Sequence, residues 1–326
     1  MKCYNLFFFI FLCASCIQKK QYYEDSGAVF HTPYHIKYRH DKLLTDKIDK
    51  ELQDFNLSLN PFNPNSIIAK VNRNQEVEVD ERFQTVFNKA REIYEVSGGA
   101  FDPTVAPLIN FWGFGFENTD NVSQHAIDSL KRFVGYDKIH IENRRVIKED
   151  PRIQLNFSAI AKGYASDVIA SLLEGEGVHN YIIEIGGEIA VNGKNPHGDC
   201  WHTGISKPQE HTTNQIAAVI RLCNKCGLAT SGNYRNFYVR DGKKYVHTID
   251  PKTGYPAQQN ILSATVIAPD CMTADACATA FMALGVDEAL LMAEKIKDIK
   301  YYIIYTDKET GEMKIKYSDA LNIYLK

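Results

Sequence analysis

Thr273-Ala274-Asp275-Ala276-Cys277-Ala278-Thr279-Ala280-Phe281 is a helical run that is apolar except for its hydroxyls and one carboxylate. Asp275 and Thr279 stand at i and i+4, so a helix brings a carboxylate and a hydroxyl onto one face. The surrounding alanines and Phe281 indicate burial, and a buried carboxylate needs a partner. An oxygen-only donor set suits magnesium, which keeps several waters and takes substrate phosphates as further ligands.

Upstream, other clusters of Gly, Asp, Thr and His break the apolar pattern. Ala229-Thr230-Ser231-Gly232-Asn233-Tyr234 precedes a hairpin that carries His247-Thr248-Ile249-Asp250-Pro251-Lys252-Thr253-Gly254. His247, three residues ahead of an Asp-Pro turn, reads either as a solvated strand-end residue or as a functional imidazole. Glu184-Ile185-Gly186-Gly187-Glu188 sets a glycine pair in an apolar strand context, where a bulge or close backbone contact is expected. Asn156-Phe157-Ser158-Ala159-Ile160-Ala161-Lys162-Gly163-Tyr164 spans a strand-to-helix junction. Backbone amides at a helix start bind phosphate and a first-turn lysine adds charge; the alternative is a surface lysine on a capped helix. Ser97-Gly98-Gly99-Ala100-Phe101-Asp102-Pro103-Thr104, with Phe111-Trp112-Gly113-Phe114-Gly115 after it, is either a helix C-cap running into core aromatics or a place where a planar ligand meets backbone and rings.

The intervening segments point to a mixture of helices and strands. Leu44, Ile48, Leu52 and Phe55 recur at helical spacing, as do Phe83, Val86, Phe87, Ala90, Ile93 and Tyr94, the latter helix capped by Asp80 and stopped at Gly98-Gly99. Strands are expected at 138–142, 153–157, 181–185 and 216–222. A hairpin is expected from 237–240 and 244–249 about Asp241-Gly242, and a terminal strand pair at 301–305 and 314–317. Helices return at 160–173, 273–284 and 287–296. Without regular βαβ alternation the class is α+β, and no GxGxxG follows a strand to support a Rossmann flavin site.

At 326 residues, 44% hydrophobic and 24% charged, the chain has the composition of a folded protein. A formal charge of −3 provides no overall field for a nucleic-acid backbone. Leu6 to Leu12 is an apolar run too short to span a bilayer and has the form of a secretory h-region. It ends in Cys13-Ala14-Ser15-Cys16, which resembles a bacterial lipobox with Cys16 acylated. The expected organisation is a signal peptide over 1–15, a lipidated polar tether over 16–27 and a folded domain over 28–326. The protein is thus expected to be exported and lipid-anchored to the cell membrane, facing the periplasm. Beyond Cys16 remain Cys200, Cys223, Cys226, Cys271 and Cys277, an odd set that implies no complete disulfide framework. Cys223-Asn224-Lys225-Cys226 lacks a second pair or a nearby His for zinc and reads as strand-end cysteines that local oxidation could join.

The segments GGAFDPTVAPLINFWGFG, AIAKGYASD, IEIGGEIAVNG, ATSGNYRNFY, VHTIDPKTGYP and TADACATAFMALG resemble, in order, the motifs of the ApbE family, the FAD:protein FMN transferases. The resemblance runs from about residue 30 to the end. It implies a mixed fold with two lobes around a flavin-binding cleft, and a magnesium-dependent transfer of FMN from FAD to a hydroxyl of an acceptor redox protein, with AMP released. Ala100, Phe101 and Asp102 would line the FAD site, with Phe30, Phe62 and Asn156 at further contact positions. Lys162 would reach the FAD and Ile249 would supply a backbone contact. The magnesium would be held by the main-chain oxygen of Ala159 and the side chains of Asp275 and Thr279, and His247 matches a catalytic position.

The sequence departs from the family pattern at Asn60-Pro61, where Ser-Thr is frequent, and at Asn156, where an Asp is frequent; the latter removes a charge near the cofactor. The acceptor residue in this family is a Thr or Ser in a segment of the form Asp-x-x-Thr/Ser-Gly-Ala-Thr/Ser. This chain contains none, so the acceptor is expected to be another protein, a membrane-bound or exported redox protein. Two rivals share the same residues: an FAD pyrophosphatase, with water replacing the protein hydroxyl, and a flavin-binding lipoprotein without turnover. A carrier has no need of a metal at the pyrophosphate.

Overall fold

The computed structural model describes residues 20–114, 123–208, 215–233, 237–240 and 243–321. The chain opens with a hairpin, β1 (Gln21–Val29) and β2 (Thr32–His40), and continues into helices α1 (Thr45–Leu59), α2 (Ile67–Asn72) and α3 (Glu81–Val96). Two short helices, α4 (Ala106–Phe111) and α5 (Gln124–Lys131), lead to the small hairpin β3 (Ile139–Glu142) and β4 (Arg145–Lys148). Helix α6 (Ala161–Gly175) precedes β5 (Tyr181–Ile185), β6 (Glu188–Asn192), β7 (Trp201–Ser206), β8 (Ile216–Leu222), β9 (Cys226–Gly232), β10 (Phe237–Arg240) and β11 (Lys243–Val246). The chain then runs through β12 (Ile261–Ala268), α7 (Cys271–Leu284), α8 (Val286–Lys295), β13 (Lys300–Thr306) and β14 (Met313–Tyr317).

An eight-stranded antiparallel sheet in the order β1-β2-β5-β6-β9-β12-β13-β14 forms the frame, which bears out the α+β expectation. Side chains alternate across it. Ala190, Ala229, Ala264, Val266 and Ile303 join the main core with α1, α3, α6 and α7. Ile189, Val191, Leu228, Ile267 and Ile304 pack on the opposite face against Trp201, Ile205, Ile220 and Leu222 of the β7–β8 hairpin. A third cluster gathers Leu108, Trp112, Ile127, Val134 and Ile249. Helix α7 is buried almost throughout, because it lies between α6 and the strands β9 and β12.

Small residues let these layers close. A Cβ on Gly163 would lie 2.3 Å from the Cys271 carbonyl oxygen, and one on Gly227 2.2 Å from the Cys271 Cα. The crossing is also hydrogen-bonded: Asp167 on α6 accepts the amides of Cys271 and Met272, each at 2.8 Å, satisfying two first-turn donors of α7. Asp270 caps the same helix through the Thr273 amide at 2.7 Å. As expected, Asp80 caps α3 through the Phe83 amide, and Gly98 and Gly99 follow its end with φ of 59° and 83°.

Three expectations need correction. The fold begins at Gln21 rather than Ala28, since β1 pairs along its whole length with β2; the segment expected as tether over 16–27 is strand from Gln21 onward. Its signal was hidden because β1 is mostly exposed and its turn is made by Phe30 and His31, non-glycine residues at φ 53° and 59°. Residues 153–157 are no strand: Ile153, Leu155 and Phe157 are buried, yet the Leu155 amide and carbonyl are bound by the Asn72 side chain at 2.7 and 2.8 Å. A side-chain amide thus takes the place of a neighbouring strand.

Cys223, finally, pairs not with Cys226 but with Cys200, the Cα atoms 4.6 Å apart, and Cys226 is free. Trp201 pairs with Leu222, so Cys200 and Cys223 stand across from each other at the end of that ladder. The hairpin about Asp241-Gly242 is paired as expected from Phe237↔Val246 to Arg240↔Lys243, although its two turn residues lie outside the described residues. The signal segment 1–15 and Cys16 lie outside them too.

The α6–α7 crossing gives a stability test. Gly163→Ala forces the two helices apart against backbone that cannot yield, and overpacking of this kind costs ~1–3 kcal/mol. Chemical denaturation is expected to show a clearly lower midpoint, and an unchanged midpoint would mean that the crossing is looser than described.

Candidate active site

The close approach at Gly163 aims the first turn of α6 at Asp275. The Gly163 amide donates to Asp275 Oδ2 at 3.0 Å, and the Asp275 side chain is otherwise sunk among apolar neighbours, the residue only 3% exposed. Immediately before Gly163, Lys162 extends along the same opening, its Nζ 2.5 Å from Glu188 Oε1. Glu188 starts β6 directly after Gly186-Gly187, and its Oε2 is buried without a hydrogen-bond partner. A Cβ on Gly186, at φ 63°, would come 3.0 Å from Lys162 Cδ, so that glycine makes room for the lysine stem.

The electrostatics of this group follow from its charge count. Burial raises the pKa of Asp275, against the pull of Lys162 and the Gly163 amide. Burial likewise raises Glu188, with Lys162 pulling down and Asp275 pushing up. For Lys162 burial acts against the charge, but Asp275 and Glu188 outweigh it and its pKa is raised. One ammonium cannot compensate two buried carboxylates, so the lysine stays protonated while both acids are short of positive charge. One turn along α7, Thr279 Oγ1 stands 3.2 Å from Ser231 Oγ of β9.

These groups line a cavity of about 840 Å³ to which residues of all three apolar clusters contribute. Phe30, Phe62, Ala100, Phe101, Asp102, Asn156, Ala159, Lys162, His247, Ile249, Asp275 and Thr279 all line it, so residues far apart in sequence that the resemblance linked to one ligand do share one space. Among its aromatic lining Phe30 packs on Phe55 with ring centroids 5.3 Å apart, and Phe62 meets the His31 ring edge-on at 5.7 Å. Phe62 is 47% exposed at the rim, presented by an Asn60 turn in which the Phe62 amide donates to Asn60 Oδ1 at 3.0 Å. The departure from Ser-Thr at 60–61 thus retains a turn-forming side chain.

Asp102 accepts the amide and hydroxyl of Thr104 at 2.8 and 2.6 Å; burial lifts its pKa to about 6 although those bonds pull it down. Asn156 accepts the Ser158 amide at 2.8 Å and donates its own amide to the Pro103 carbonyl, so it ties the Asp102 loop to the start of α6. His247 lies at the wall opposite, its ring 6.5 Å from that of Phe114. The turn behind it is closed by the Gly254 amide on the Asp250 carbonyl at 2.8 Å and is pinned by Trp112 Nε1 on the Gly254 carbonyl, also at 2.8 Å.

Among the described residues no cluster of three or more His, Cys, Asp or Glu could cage a metal. Asp275, Thr279 and Ala159 line the same cavity and could offer only oxygen donors, beside an excess of negative charge. That chemistry fits magnesium completed by phosphate oxygens and water rather than a closed protein site. Sequence reading quoted Glu188 but gave it no role, and it passed over β7, whose Thr203, Gly204 and Ser206 also line the cavity. A carboxylate directly after a Gly-Gly pair in an apolar strand was the available signal for Glu188. Nothing in the local sequence of β7 marked it.

Comparison with known proteins agrees with this geometry. The ApbE family pattern matches residues 30–303. The chain is 37% identical over 311 residues to an FAD:protein FMN transferase of Haemophilus influenzae, covering 90% of each, and 33% identical over 309 residues to that of Vibrio cholerae, covering 91% of this chain and 92% of the relative. The solved flavin transferase ApbE from Vibrio cholerae superposes with a TM-score of 0.83 at 31% identity, over 94% of this chain and all of that one. The ApbE protein of Thermotoga maritima superposes with a TM-score of 0.81 at 29% identity, again over 94% of this chain and 100% of that one. With the shared fold, the long matches and the motif residues gathered in one cavity, the chain belongs to the ApbE family.

Proposed function

We propose that this protein is an FAD:protein FMN transferase that joins FMN, through a phosphoester, to a Thr or Ser hydroxyl of an acceptor redox protein and releases AMP. The observation that carries this reading is the mixed lining of the cavity: aromatic side chains together with Lys162 and the Asp275–Thr279 pair. A flavin ring suits the first and a pyrophosphate the second.

In this reading Phe30 and Phe62 hold the ring, with Ala100, Phe101, Asp102, Asn156 and the Ile249 backbone around the flavin. The Lys162 ammonium, kept protonated by its two carboxylate neighbours, neutralises pyrophosphate oxygens. Asp275, Thr279 Oγ1 and the Ala159 carbonyl hold magnesium, which when bound neutralises charge on the phosphates and polarises the phosphorus under attack. The acceptor oxygen bonds to the phosphorus of the FMN half, the bridging P–O bond breaks, and AMP departs with the electron pair. His247 takes the proton of the incoming hydroxyl, an imidazole being suited to act as a base near neutrality. Mass spectrometry of a candidate acceptor after incubation with FAD and magnesium tests the whole reading. A gain of FMN mass supports transfer, whereas free FMN and AMP with an unmodified acceptor would establish a pyrophosphatase.

We place the protein outside the cytoplasm, lipid-anchored through Cys16 and facing the periplasm. With β1 starting at Gln21, only Ile17 to Lys20 separate the acylated residue from the fold. Fully extended, those residues span at most about 14 Å, which keeps the domain against the membrane.

Four substitutions check these assignments. Asp275→Asn preserves an oxygen for the Gly163 amide and removes a disfavoured charge. It is expected to fold as well as the wild type yet lose at least about a hundredfold in transfer rate, the scale of losing a preorganised charge-stabilising group. Thr279→Val is expected to raise the magnesium concentration for half-maximal rate, and full metal-dependent activity in Asp275→Asn would refute the metal site. His247→Ala should lower transfer by ~10²–10⁴-fold, the usual contribution of a general base, with FAD affinity nearly intact. An equal loss of affinity would make it a ligand-positioning residue. Cys16→Ser is expected to move the protein from the membrane fraction to the soluble one with activity retained, and a wild-type protein lacking lipid at residue 16 would remove the anchor.

A further inference from the structure

A transferase must bring a polypeptide to its cavity, and β7 offers a feature suited to that. The strand pairs with β8 alone, from Trp201↔Leu222 to Ser206↔Ile216, and among the described strands nothing pairs with its other edge. In an antiparallel ladder alternate residues turn their N–H and C=O away from the partner, so that edge carries unpaired main-chain groups. Thr203, Gly204 and Ser206 line the cavity, while no residue of β8 does. Successive side chains of a strand point to opposite faces, and the neighbours Thr203 and Gly204 both border the cavity, as they would in a strand that turns its edge toward it.

Gly204 strengthens the point. Its φ is not positive, it is exposed, and a Cβ there would meet its nearest neighbour, Ile216, at 3.4 Å, an ordinary contact. Neither the backbone nor the surrounding packing requires glycine, yet glycine in a strand weakens it and marks a place where another backbone approaches. The strand itself is held firmly: Trp201 and Ile205 are buried in the core of that side, Trp201 Nε1 donates to the Asn192 carbonyl at 3.0 Å, and the Cys200–Cys223 bridge closes the hairpin's base.

We infer that the free edge of β7 is the acceptor-docking site: an extended segment of the acceptor adds to β7 as a strand, with its backbone passing over Gly204 and its reactive hydroxyl in the cavity between His247 and Lys162. This rests on the transferase reading above and names its second substrate's binding mode. Main-chain bonds supply register and affinity, and alternate side chains of the segment enter the cavity or face solvent.

The experiment uses the full chain, FAD, magnesium and a synthetic peptide containing Asp-x-x-Thr-Gly-Ala-Thr, together with a series of that peptide methylated at one backbone nitrogen at a time. Strand addition predicts a KM that rises about five- to tenfold at every second residue, the worth of one hydrogen bond each time, and little in between. Gly204→Val is expected to raise the KM for the peptide by a similar factor, with the Kd for FAD changed less. Uniform tolerance of methylation, sensitivity without the two-residue period, or an equal loss of FAD affinity in Gly204→Val would overturn the docking site. Failure to modify even the unmethylated peptide, by enzyme that binds FAD, would also overturn it, because strand addition asks only for an extended segment. Failure to bind FAD at all would instead overturn the flavin reading.

Discussion

The hydrogen bond from the Gly163 amide to the Asp275 carboxylate is the constraint on which the site and much of the core depend. It requires α6 and α7 to cross so closely that residue 163 can carry no side chain. That closeness puts Lys162 at the mouth of the crossing and brings the Ala159 carbonyl, just upstream of α6, to the same cavity as Thr279, one turn along α7. Asp167, one turn further along α6, binds the two amides that begin α7, so both ends of the crossing are fixed by a carboxylate on a backbone donor. In the proposed reading this structural contact also places the metal-binding side chain. The Asp275 side chain serves the fold through one oxygen, and the carboxylate stays directed at the cavity.

The same burial creates the electrostatic demand that a ligand would satisfy. Asp275 and Glu188 are raised by desolvation, and Lys162 alone cannot serve both. In the proposed reading a divalent cation would relieve that imbalance, and a pyrophosphate would in turn offset the excess positive charge of cation and lysine. The order of stabilisation is physically tight: a bare polyanion would face two carboxylates, whereas a metal-bound one faces a neutralised site. Glu188 then acts mainly through Lys162, holding the ammonium in place from beneath while its second oxygen lacks any partner.

What could be read from sequence follows from where the information is local. The buried helix α7, the capped helix α3 and the hairpin of β10 and β11 announced themselves through periodicity, a capping Asp and an Asp-Gly pair. The site residues were legible as clusters of Gly, Asp, Thr and His, and the resemblance supplied their grouping, which spacing alone could not. The central sheet was largely hidden. Its outer strand β1 is polar and its turn lacks glycine, while residues 153–157 carry a strand's alternation but bond to the Asn72 side chain. The disulfide was not legible, because proximity in sequence offers Cys226 as the local partner of Cys223, whereas the ladder of β7 and β8 sets Cys200 opposite it.

The remaining question for such a site is why a hydroxyl on a protein should win over water, which can reach the same phosphorus. Charge neutralisation by Lys162 and a cation favours either nucleophile equally, so it cannot discriminate between them. Orientation can, because holding a reactant in place is worth effective molarities of ~10⁵–10⁸ M, far above that of water. Such orientation needs a rigid reference on the protein beside the reacting atoms. The helix start at α6 is oriented toward phosphate in this reading rather than toward a polypeptide. The β7 strand, clamped by Trp201, Ile205 and the disulfide and unpaired along one edge among the described strands, is a wall with main-chain bonds to offer an extended segment.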